Sequence, residues 1–301
     1  KAFVFPGQGS QYVGMAKEFA DAAPGARVML EEADDLLHVH LSKTMLEGPE
    51  ELLKQTDYTQ PAIFLHSMIA YQFSNLEERP AAVAGHSLGE FSALCVAEAF
   101  SFEDALKLVH LRGTLMAEAG KRKPGTMAAI IGMEEKVLRD LCESVETETD
   151  HIVRPANFNS PGQIVISGSV DGVHETMRRA KLAGIRIVKE LPVSGAFHSP
   201  LMQYAADGLK EALDSTEIVV PSVPVYANVT AELHGDVASI RQRLVEQLTS
   251  PVLWEQSVRS MNRDGIKEFV EIGPGKVLQG LITRTVSDAI VSGIEKPTAS
   301  D

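Results

Sequence analysis

Residues 81–90 read AAVAGHSLGE, a short apolar run followed by a serine between two glycines. The apolar run 81–84 predicts a buried strand, and the residues after Gly89 begin an apolar helical pattern that continues to Ala99. A turn this tight between a strand and a helix requires small residues on both sides of the serine. We therefore expect Ser87 to project above the edge of a parallel sheet, at the beginning of a helix.

Apolar strand-like runs alternate with longer helical patterns on both sides of this segment. The run 2–5 leads into a glycine-rich loop, residues 6–11, and the runs 223–227 and 268–271 are further strand candidates. Two helices are predicted in between: one over 61–71, with Pro61 in its first turn, and one that Ser101 and Asp104 cap and that Gly120 and Pro124 end. This alternation predicts a parallel sheet covered by helices on both faces.

The middle of the chain has a different rhythm. Strands are predicted over 126–131, 152–157, 164–167 and 185–191, with helices over 134–145 and 173–182. The order β-α-β-β-α-β is the split βαβ arrangement of a ferredoxin-like domain. We therefore predict an α/β protein whose large α/β core, 1–124 and 193–301, is interrupted by a ferredoxin-like insertion, 125–192.

Composition and charge exclude several function classes. The 301 residues carry a net charge of −13, so the chain lacks the basic excess of a nucleic-acid-binding protein. Cys95 and Cys142 are the only cysteines, which fits a reducing compartment and excludes a cysteine-based zinc site, and His38 and His40 lack a third ligand for a metal. Without a long apolar stretch or a signal-peptide core, we expect a cytoplasmic monomer with no membrane association and no metal.

The segment around Ser87 predicts nucleophilic chemistry. G-x-S-x-G between a strand and a helix is the nucleophile elbow, although a glycine-rich turn with a solvated serine is the simpler interpretation. Of nine histidines, His198 is the best candidate for the base, because Ser199-Pro200 after it begins a helix where the chain re-enters the core. His86 would point away from Ser87. No aspartate or glutamate between Ser87 and His198 ends a core strand, so a main-chain carbonyl is a candidate to orient the imidazole.

Two further segments bear on the same chemistry. The Gly7-Gln8-Gly9 loop resembles the beginning of a dinucleotide-binding fingerprint, but Tyr12 stands where the third glycine is required. We therefore interpret the loop as a donor of main-chain N–H groups that completes an oxyanion hole with the Leu88 N–H. Arg112 lies in an amphipathic helix, where a salt bridge is the ordinary explanation, but it would also grip a substrate carboxylate in a bidentate manner.

These segments together resemble a known family, the malonyl-CoA:acyl carrier protein transacylases, which are close to the acyltransferase domains of polyketide synthases. The resemblance runs in order along nearly the whole chain and rests on FPGQGSQ (5–11), TQPA (59–62), GHSLGE (85–90), Arg112-Gly113, NFNSPGQ (157–163), GAFHSP (195–200) and EIGPG (271–275). It implies an α/β-hydrolase-like core with a ferredoxin-like insertion, which agrees with the pattern of strands and helices.

The resemblance also implies roles for individual residues. Ser87 would be acylated with His198 as its base, Gln8 and Leu88 would supply the oxyanion-hole N–H groups, and Arg112 would hold the malonyl carboxylate. The main-chain carbonyl of Gln247 would orient His198, so that the enzyme works as a Ser–His dyad. Further positions near the site would be Asn157, Asn228 and Phe197, of which Phe197 resembles malonyl-selective rather than methylmalonyl-selective relatives. The implied reaction is ping-pong transfer from malonyl-CoA to the phosphopantetheine thiol of acyl carrier protein, without a cofactor.

The partner and the pathway are less constrained by the sequence. Since acyl carrier proteins are acidic, docking on an acidic chain needs a local basic patch. The candidates for this patch are Lys121, Arg122, Lys123, Arg178, Arg179 and Lys181. The alternative is that these residues form an ordinary solvated charge run. The alternatives are a stand-alone polyketide acyltransferase, a serine esterase or thioesterase, and a docking subunit with a decayed site. The absence of flanking domains favours the role in fatty acid synthesis.

Overall fold

The computed structural model describes residues 1–74, 76 and 78–297. The strands are β1 (Ala2–Phe5), β2 (Ala82–Gly85), β3 (Gly125–Ile131), β4 (Val153–Ser160), β5 (Gln163–Ser169), β6 (Ile187–Glu190), β7 (Val225–Tyr226), β8 (Glu268–Ile272) and β9 (Ile290–Ile294). The helices are α1 (Lys17–Ala22), α2 (Pro24–Leu37), α3 (Leu41–Glu47), α4 (Glu50–Leu53), α5 (Thr56–Gln72), α6 (Gly89–Val96), α7 (Phe102–Arg122), α8 (Glu135–Thr149), α9 (Val170–Leu182), α10 (Gln203–Ser215), α11 (Val237–Glu246), α12 (Trp254–Arg263) and α13 (Val277–Thr285). None of these helices is both long and apolar enough to cross a membrane.

The larger sheet is parallel and has the strand order β7-β2-β1-β8-β9. Its two faces bury separate apolar clusters, with Phe3 and Phe5 on one side and Ala2 and Val4 on the other, so helices cover both faces as predicted. Because β1 pairs with β2 in the register Phe5 to Gly85, the loops after both strands leave the same edge of the sheet. The strand β9, which the sequence patterns did not predict, extends this sheet beyond β8.

The smaller sheet is antiparallel and has the strand order β4-β5-β3-β6. With α8 and α9 it forms the predicted β-α-β-β-α-β unit, and the fold class is confirmed. Met127 and Val165 on one face pack into the large core, whereas Ala128 and Ile166 on the other face pack in the cluster that α8 and α9 cover. All four strands lie inside the predicted insertion 125–192, while the division into two domains stays a prediction.

Two helix boundaries differ from the sequence prediction. Pro61 is not in the first turn of its helix, since α5 begins at Thr56 and Pro61 lies inside it. The Asp57 carbonyl, which loses its helical N–H partner to the proline, lies 3.2 Å from the ring nitrogen Nδ1 of His110. Gly120 does not end α7, because the helix continues to Arg122. A Cβ at Gly120 would lie 2.2 Å from the Ser194 carbonyl oxygen, so the glycine serves helix-to-chain packing.

Candidate active site

The turn between β2 and α6 has the geometry of a nucleophile elbow. Ser87 has a φ of 52°, a left-handed conformation that costs an ordinary residue roughly 1–2 kcal/mol. A Cβ at Gly85 would lie 1.9 Å from the Gly89 carbonyl carbon, and one at Gly89 would lie 2.1 Å from the Phe5 carbonyl oxygen. Both flanking residues must therefore be glycine, in agreement with the steric requirement inferred from the sequence.

The strained elbow is held from both sides by Asn228, which follows β7 and is 1% exposed. Its side-chain Oδ1 accepts the Ser87 main-chain N–H at 2.7 Å, and its Nδ2 donates to the Gly85 carbonyl at 2.7 Å. One amide thus clamps the last residue of the strand and the serine itself. The structure therefore brings the predicted near-site residue Asn228 into direct contact with the elbow.

His198 lies next to Ser87 in the orientation that a general base requires. Its Nε2 is 2.9 Å from Ser87 Oγ, and its Nδ1 is 2.7 Å from the main-chain carbonyl of Gln247. Because a carbonyl only accepts, Nδ1 carries the proton and Nε2 is free to accept from the serine hydroxyl. Burial, and then the positive charge of Arg112, lower the pKa of His198 to about 3, so the imidazole is neutral at physiological pH.

Arg112, on α7, is fully buried and points at the same serine. Its Nη1 donates to Gln60 Oε1 at 2.7 Å, while Nη2 donates to Gln247 Oε1 at 2.8 Å and to Ser87 Oγ at 3.0 Å. Its buried Nε has no hydrogen-bond partner in the described part of the chain. Burial lowers the pKa of Arg112 to about 10, against the opposing charge of Glu90, so the guanidinium stays charged at neutral pH.

A small cavity of about 100 Å³ lies in front of these groups. Besides the serine, the histidine and the arginine, its lining comprises Gln8, Gln60, His86, Leu88, Met116, Met127, Asn157, Leu191, Val193 and Phe197. The predicted catalytic, oxyanion-hole, carboxylate-binding and near-site residues therefore all line this cavity, except the buried Asn228 and Gln247, which lie behind it. Its walls are largely apolar, and among the described residues Arg112 is its one charged side chain.

The predicted oxyanion-hole residues lie on two loops that touch each other. A Cβ at Gly7 would lie 2.4 Å from the His86 carbonyl oxygen, so the loop 6–10 packs directly on the elbow. The main-chain N–H groups of Gln8 and Leu88 form no main-chain hydrogen bonds in the described loops. Both residues line the cavity beside Ser87. An oxyanion hole needs such unoccupied main-chain donors beside the nucleophile, and this role stays a prediction for Gln8 and Leu88.

A second cavity, of about 150 Å³, adjoins the first and shares Gln8 and His86 with it. It runs between the loop 6–10 and the first turn of α13, with Asn159 and Gln163 on its opposite side. His86 points toward Asn159, whose Oδ1 is 2.8 Å from its Nε2, and away from Ser87, as the sequence predicts. Neither Ser87 nor Arg112 lines this second cavity.

Of the predicted basic patch, Arg178 and Arg179 on α9 are already paired. Arg178 Nη2 and Arg179 Nε both contact Glu175 Oε1 at 2.7 Å, and Arg179 Nη2 contacts Glu148 Oε2 at 2.8 Å. The helix α9 also covers the face of the small sheet that is turned away from the cavity. Arg178, Arg179 and the exposed Lys181 therefore lie on the helix turned away from the cavity, and their role in docking stays a prediction.

The other basic residues lie at the end of α7. Lys121 and Lys123 are exposed, and Arg122 stacks on Tyr204 with its guanidinium carbon 3.8 Å from the ring centroid. Gly120 packs on the main chain of Ser194, and the neighbouring Val193 lines the cavity. This basic turn is thus a few residues away from the wall of the site.

Two residues of the site had no role in the sequence analysis, although both lie in quoted motifs. Gln60 of TQPA accepts from Arg112, and Glu90 of GHSLGE accepts from the side chain of Gln247 and from His234. Both are buried polar residues within otherwise apolar helical segments, and this contrast is the sequence signal by which they could have been found.

Nearly the whole chain matches proteins of one kind. Residues 2–298 match the family model described as "Acyl transferase domain". The malonyl CoA-acyl carrier protein transacylase of Bacillus subtilis is 45% identical over 284 residues, covering 94% of this chain and 89% of that protein. The Escherichia coli protein of the same name is 41% identical over 300 residues, covering 99% and 96%.

Solved structures agree with these sequence matches. The malonyl CoA-acyl carrier protein transacylase of Coxiella burnetii superimposes with a TM-score of 0.94 at 39% identity, covering 98% of this chain and 93% of that one. A complex described as a type II PKS acyl-carrier protein with its malonyl-transacylase matches with a TM-score of 0.94 at 39% identity, covering 98% and 96%.

Proposed function

Since the chain belongs to the acyl transferase domain family, and within it to the malonyl-CoA:acyl carrier protein transacylases, we propose that it transfers a malonyl group from malonyl-CoA to the phosphopantetheine thiol of an acyl carrier protein. The observation that carries this proposal is the contact between Arg112 Nη2 and Ser87 Oγ, 3.0 Å long, inside a cavity of about 100 Å³. A buried guanidinium beside the nucleophile, with an unpartnered Nε–H, calls for a short acyl group that ends in a carboxylate.

The first half-reaction acylates the serine. His198 Nε2 takes the proton of Ser87 Oγ as the oxygen attacks the thioester carbonyl of malonyl-CoA. The main-chain N–H groups of Gln8 and Leu88 stabilise the oxyanion, and the carbonyl of Gln247 stabilises the imidazolium through Nδ1. The carbon–sulfur bond then breaks, and His198 returns the proton to the CoA thiolate. This Ser–His dyad needs no carboxylate because a main-chain carbonyl fixes the tautomer.

The second half-reaction runs the same steps in reverse with another thiol. His198 takes the proton of the pantetheine thiol, its sulfur attacks the malonyl-serine, and Ser87 leaves with the proton. The resulting kinetics are ping-pong, since CoA departs before the carrier reacts. We propose that the pantetheine arm reaches Ser87 along the cavity of about 150 Å³ beside the loop 6–10. Each half-reaction moves the malonyl group between a thioester and the serine oxygen ester, which requires no cofactor and no metal.

The malonyl carboxylate activates the site as well as binding to it. Arg112 donates to Ser87 Oγ, and its charge opposes protonation of His198. A carboxylate that pairs with Arg112 neutralises that charge, so it raises the pKa of the base and draws the guanidinium from the nucleophile. An acetyl group lacks this carboxylate. Phe197, buried in the cavity wall, limits the space for an α-methyl substituent and thus favours malonyl over methylmalonyl groups.

The carrier belongs to fatty acid synthesis in this proposal, with a polyketide carrier as the second candidate. The proteins from Bacillus subtilis and Escherichia coli carry the transacylase name without reference to a polyketide pathway. The matching complex with a type II polyketide carrier favours the alternative. For docking we retain Lys121, Arg122 and Lys123, whose turn lies beside the cavity wall, and we omit Arg178, Arg179 and Lys181.

The test is transfer of labelled malonyl from malonyl-CoA, followed by mass spectrometry of the enzyme and of the carrier. We expect a malonyl adduct on Ser87 without carrier, and passage of the label to holo carrier when it is added. Ser87→Ala should form no adduct, while Ser215→Ala, which changes an exposed serine at the end of α10, should behave as wild type. Free malonate in place of carrier-bound malonyl would identify a hydrolase, and no adduct would exclude both activities.

A further inference from the structure

A buried acid–base pair lies behind the nucleophile elbow and takes no part in the reaction steps. Glu90, in the first turn of α6, and His234 each have side chains that are 1% exposed, and Glu90 Oε1 is 2.8 Å from His234 Nε2. The other oxygen, Glu90 Oε2, accepts from the Asn228 main-chain N–H at 3.0 Å and from Gln247 Nε2 at 2.7 Å. A carboxylate buried this deeply persists only where donors satisfy it, and here three do.

The carboxylate determines which way the amide of Gln247 faces. An ionised carboxylate only accepts hydrogen bonds, so the NH₂ group of Gln247 must point at Glu90, and it also donates to the Ser87 carbonyl at 3.0 Å. The amide oxygen is thereby turned to Arg112, from whose Nη2 it accepts at 2.8 Å. If the amide were reversed, two donors would face each other, and Arg112 would lose a buried acceptor.

Glu90 Oε2 is also connected to the elbow through Asn228. Asn228 donates its main-chain N–H to Glu90, and its side chain clamps Gly85 and Ser87. Glu90 also supplies a negative charge that favours the protonated state of the buried Arg112. The Glu90 carboxylate therefore contacts both Asn228 and Gln247, and its charge stabilises the charged form of Arg112.

We propose that Glu90, held in place by His234, is a positioning residue for malonyl selectivity, because it fixes the Gln247 amide and through it the Arg112 guanidinium. The proposal rests on the proposed function, in which Arg112 binds the acyl carboxylate. Glu90 contacts neither substrate, so its loss acts through the orientation of Arg112. It follows that removing Glu90 lowers malonyl transfer more than acetyl transfer, whereas a purely structural role would lower both equally.

The experiment measures acylation of Ser87 from malonyl-CoA and from acetyl-CoA in single turnovers by intact mass spectrometry, and compares the ratio of the two rates. In Glu90→Ala we expect this ratio to fall roughly tenfold to a hundredfold, the range for one misaligned hydrogen bond to a charged group. Glu90→Gln still offers an oxygen to Asn228 and Gln247, so it should restore the ratio to within about threefold of wild type. Asp34→Ala, which removes a half-buried carboxylate that accepts from Ser42 far from the site, should leave the ratio unchanged.

Two further variants keep the test decisive. If Glu90→Ala does not fold, Glu90→Asp replaces it, because the shortened carboxylate no longer reaches Gln247 and should lower the ratio in the same direction. In an Arg112→Ala background the loss of Glu90 should not change the ratio further. An unchanged ratio in Glu90→Ala, or in Glu90→Asp where it replaces the alanine variant, would overturn the proposal. Equal losses on both donors, or a further fall in the double variant, would overturn it as well. A wild-type enzyme without malonyl preference would instead refute the proposed function.

Discussion

Replacing Arg112 by alanine tests the central feature of the site. The substitution removes the only charged group that lines the cavity in the described part of the chain, and it leaves Gln60 Oε1 and Gln247 Oε1 without their donor. It also removes the hydrogen bond that Ser87 Oγ accepts from Nη2. A malonyl group then faces a neutral, apolar wall, while an acetyl group loses nothing that it had used.

The expected loss of kcat/KM for malonyl-CoA follows from the burial of Arg112. Removing one partner from a buried, hydrogen-bonded charge pair costs about 3–5 kcal/mol. At 1.36 kcal/mol per tenfold, this predicts a loss of about 10²- to 10⁴-fold in kcat/KM for malonyl-CoA. For acetyl-CoA we expect kcat/KM to change by no more than about tenfold. Arg112 makes no contact with an acetyl group, and the substitution also removes the hydrogen bond that Arg112 donates to Ser87. The selectivity for malonyl should therefore disappear or be reversed.

The assay compares kcat/KM for malonyl-CoA and acetyl-CoA with one holo carrier under the same conditions. Arg112→Lys is the matched control: it keeps the charge but has a single ammonium in place of the planar fork, so its selectivity should lie between wild type and alanine. Unfolding by urea separates lost selectivity from lost structure. If Arg112→Ala discriminates between the two acyl groups as wild type does, the carboxylate is bound elsewhere and the assignment of Arg112 is wrong.

Three further predictions concern the elbow, the histidines and the docking turn. Gly85→Ala should cost more than about 4 kcal/mol or prevent folding, because its Cβ would meet the Gly89 main chain, whereas Gly184→Ala, with open space around its Cβ, should cost about 1–2 kcal/mol in urea unfolding. Burial lowers the pKa of His66 to about 4, so below pH 6.5 the unfolded chain takes up a proton that the folded protein does not. Stability should fall as the pH falls, and His66→Gln should lose about 2 kcal/mol less than wild type between pH 7 and pH 5. Lys121→Glu should raise the KM for the carrier several-fold, with Arg178→Glu as the control that leaves it unchanged; the reverse order would place docking on α9.

The parts of the site that the sequence predicted are those that local sterics and capping encode. The glycines around Ser87 are required by contacts within five residues along the chain and with β1, and the motif shows them directly. Ser199 accepts from the Leu201 N–H at the start of the turn after His198, as the Ser-Pro pair predicted. Both signals are short in sequence, so no knowledge of the tertiary structure was needed.

The parts that were missed depend on partners far along the chain. Pro61 stands inside α5 because the carbonyl that it orphans meets His110, 53 positions from Asp57. Gly120 stands inside α7 because the chain near Ser194 passes over it. Neither His110 nor Ser194 lies in the segment whose pattern predicts the helix boundary. The usual positions of proline and glycine in helices therefore predict the wrong boundaries, because a contact with a distant part of the chain accommodates each residue inside its helix.

The paired arginines are different, because the sequence contained the information that separates them. Glu175 precedes Arg178 and Arg179 by three and four positions on one helix, which is the spacing of an intrahelical ion pair. Glu118 stands at the same spacing before Lys121 and Arg122, but its carboxylate accepts from the Tyr204 hydroxyl at 2.7 Å, and the Tyr204 ring carries Arg122. The Glu118 carboxylate thus contacts a residue of α10. In a chain with a net charge of −13, we therefore propose the end of α7, rather than Arg178 and Arg179, as the basic surface for an acidic carrier.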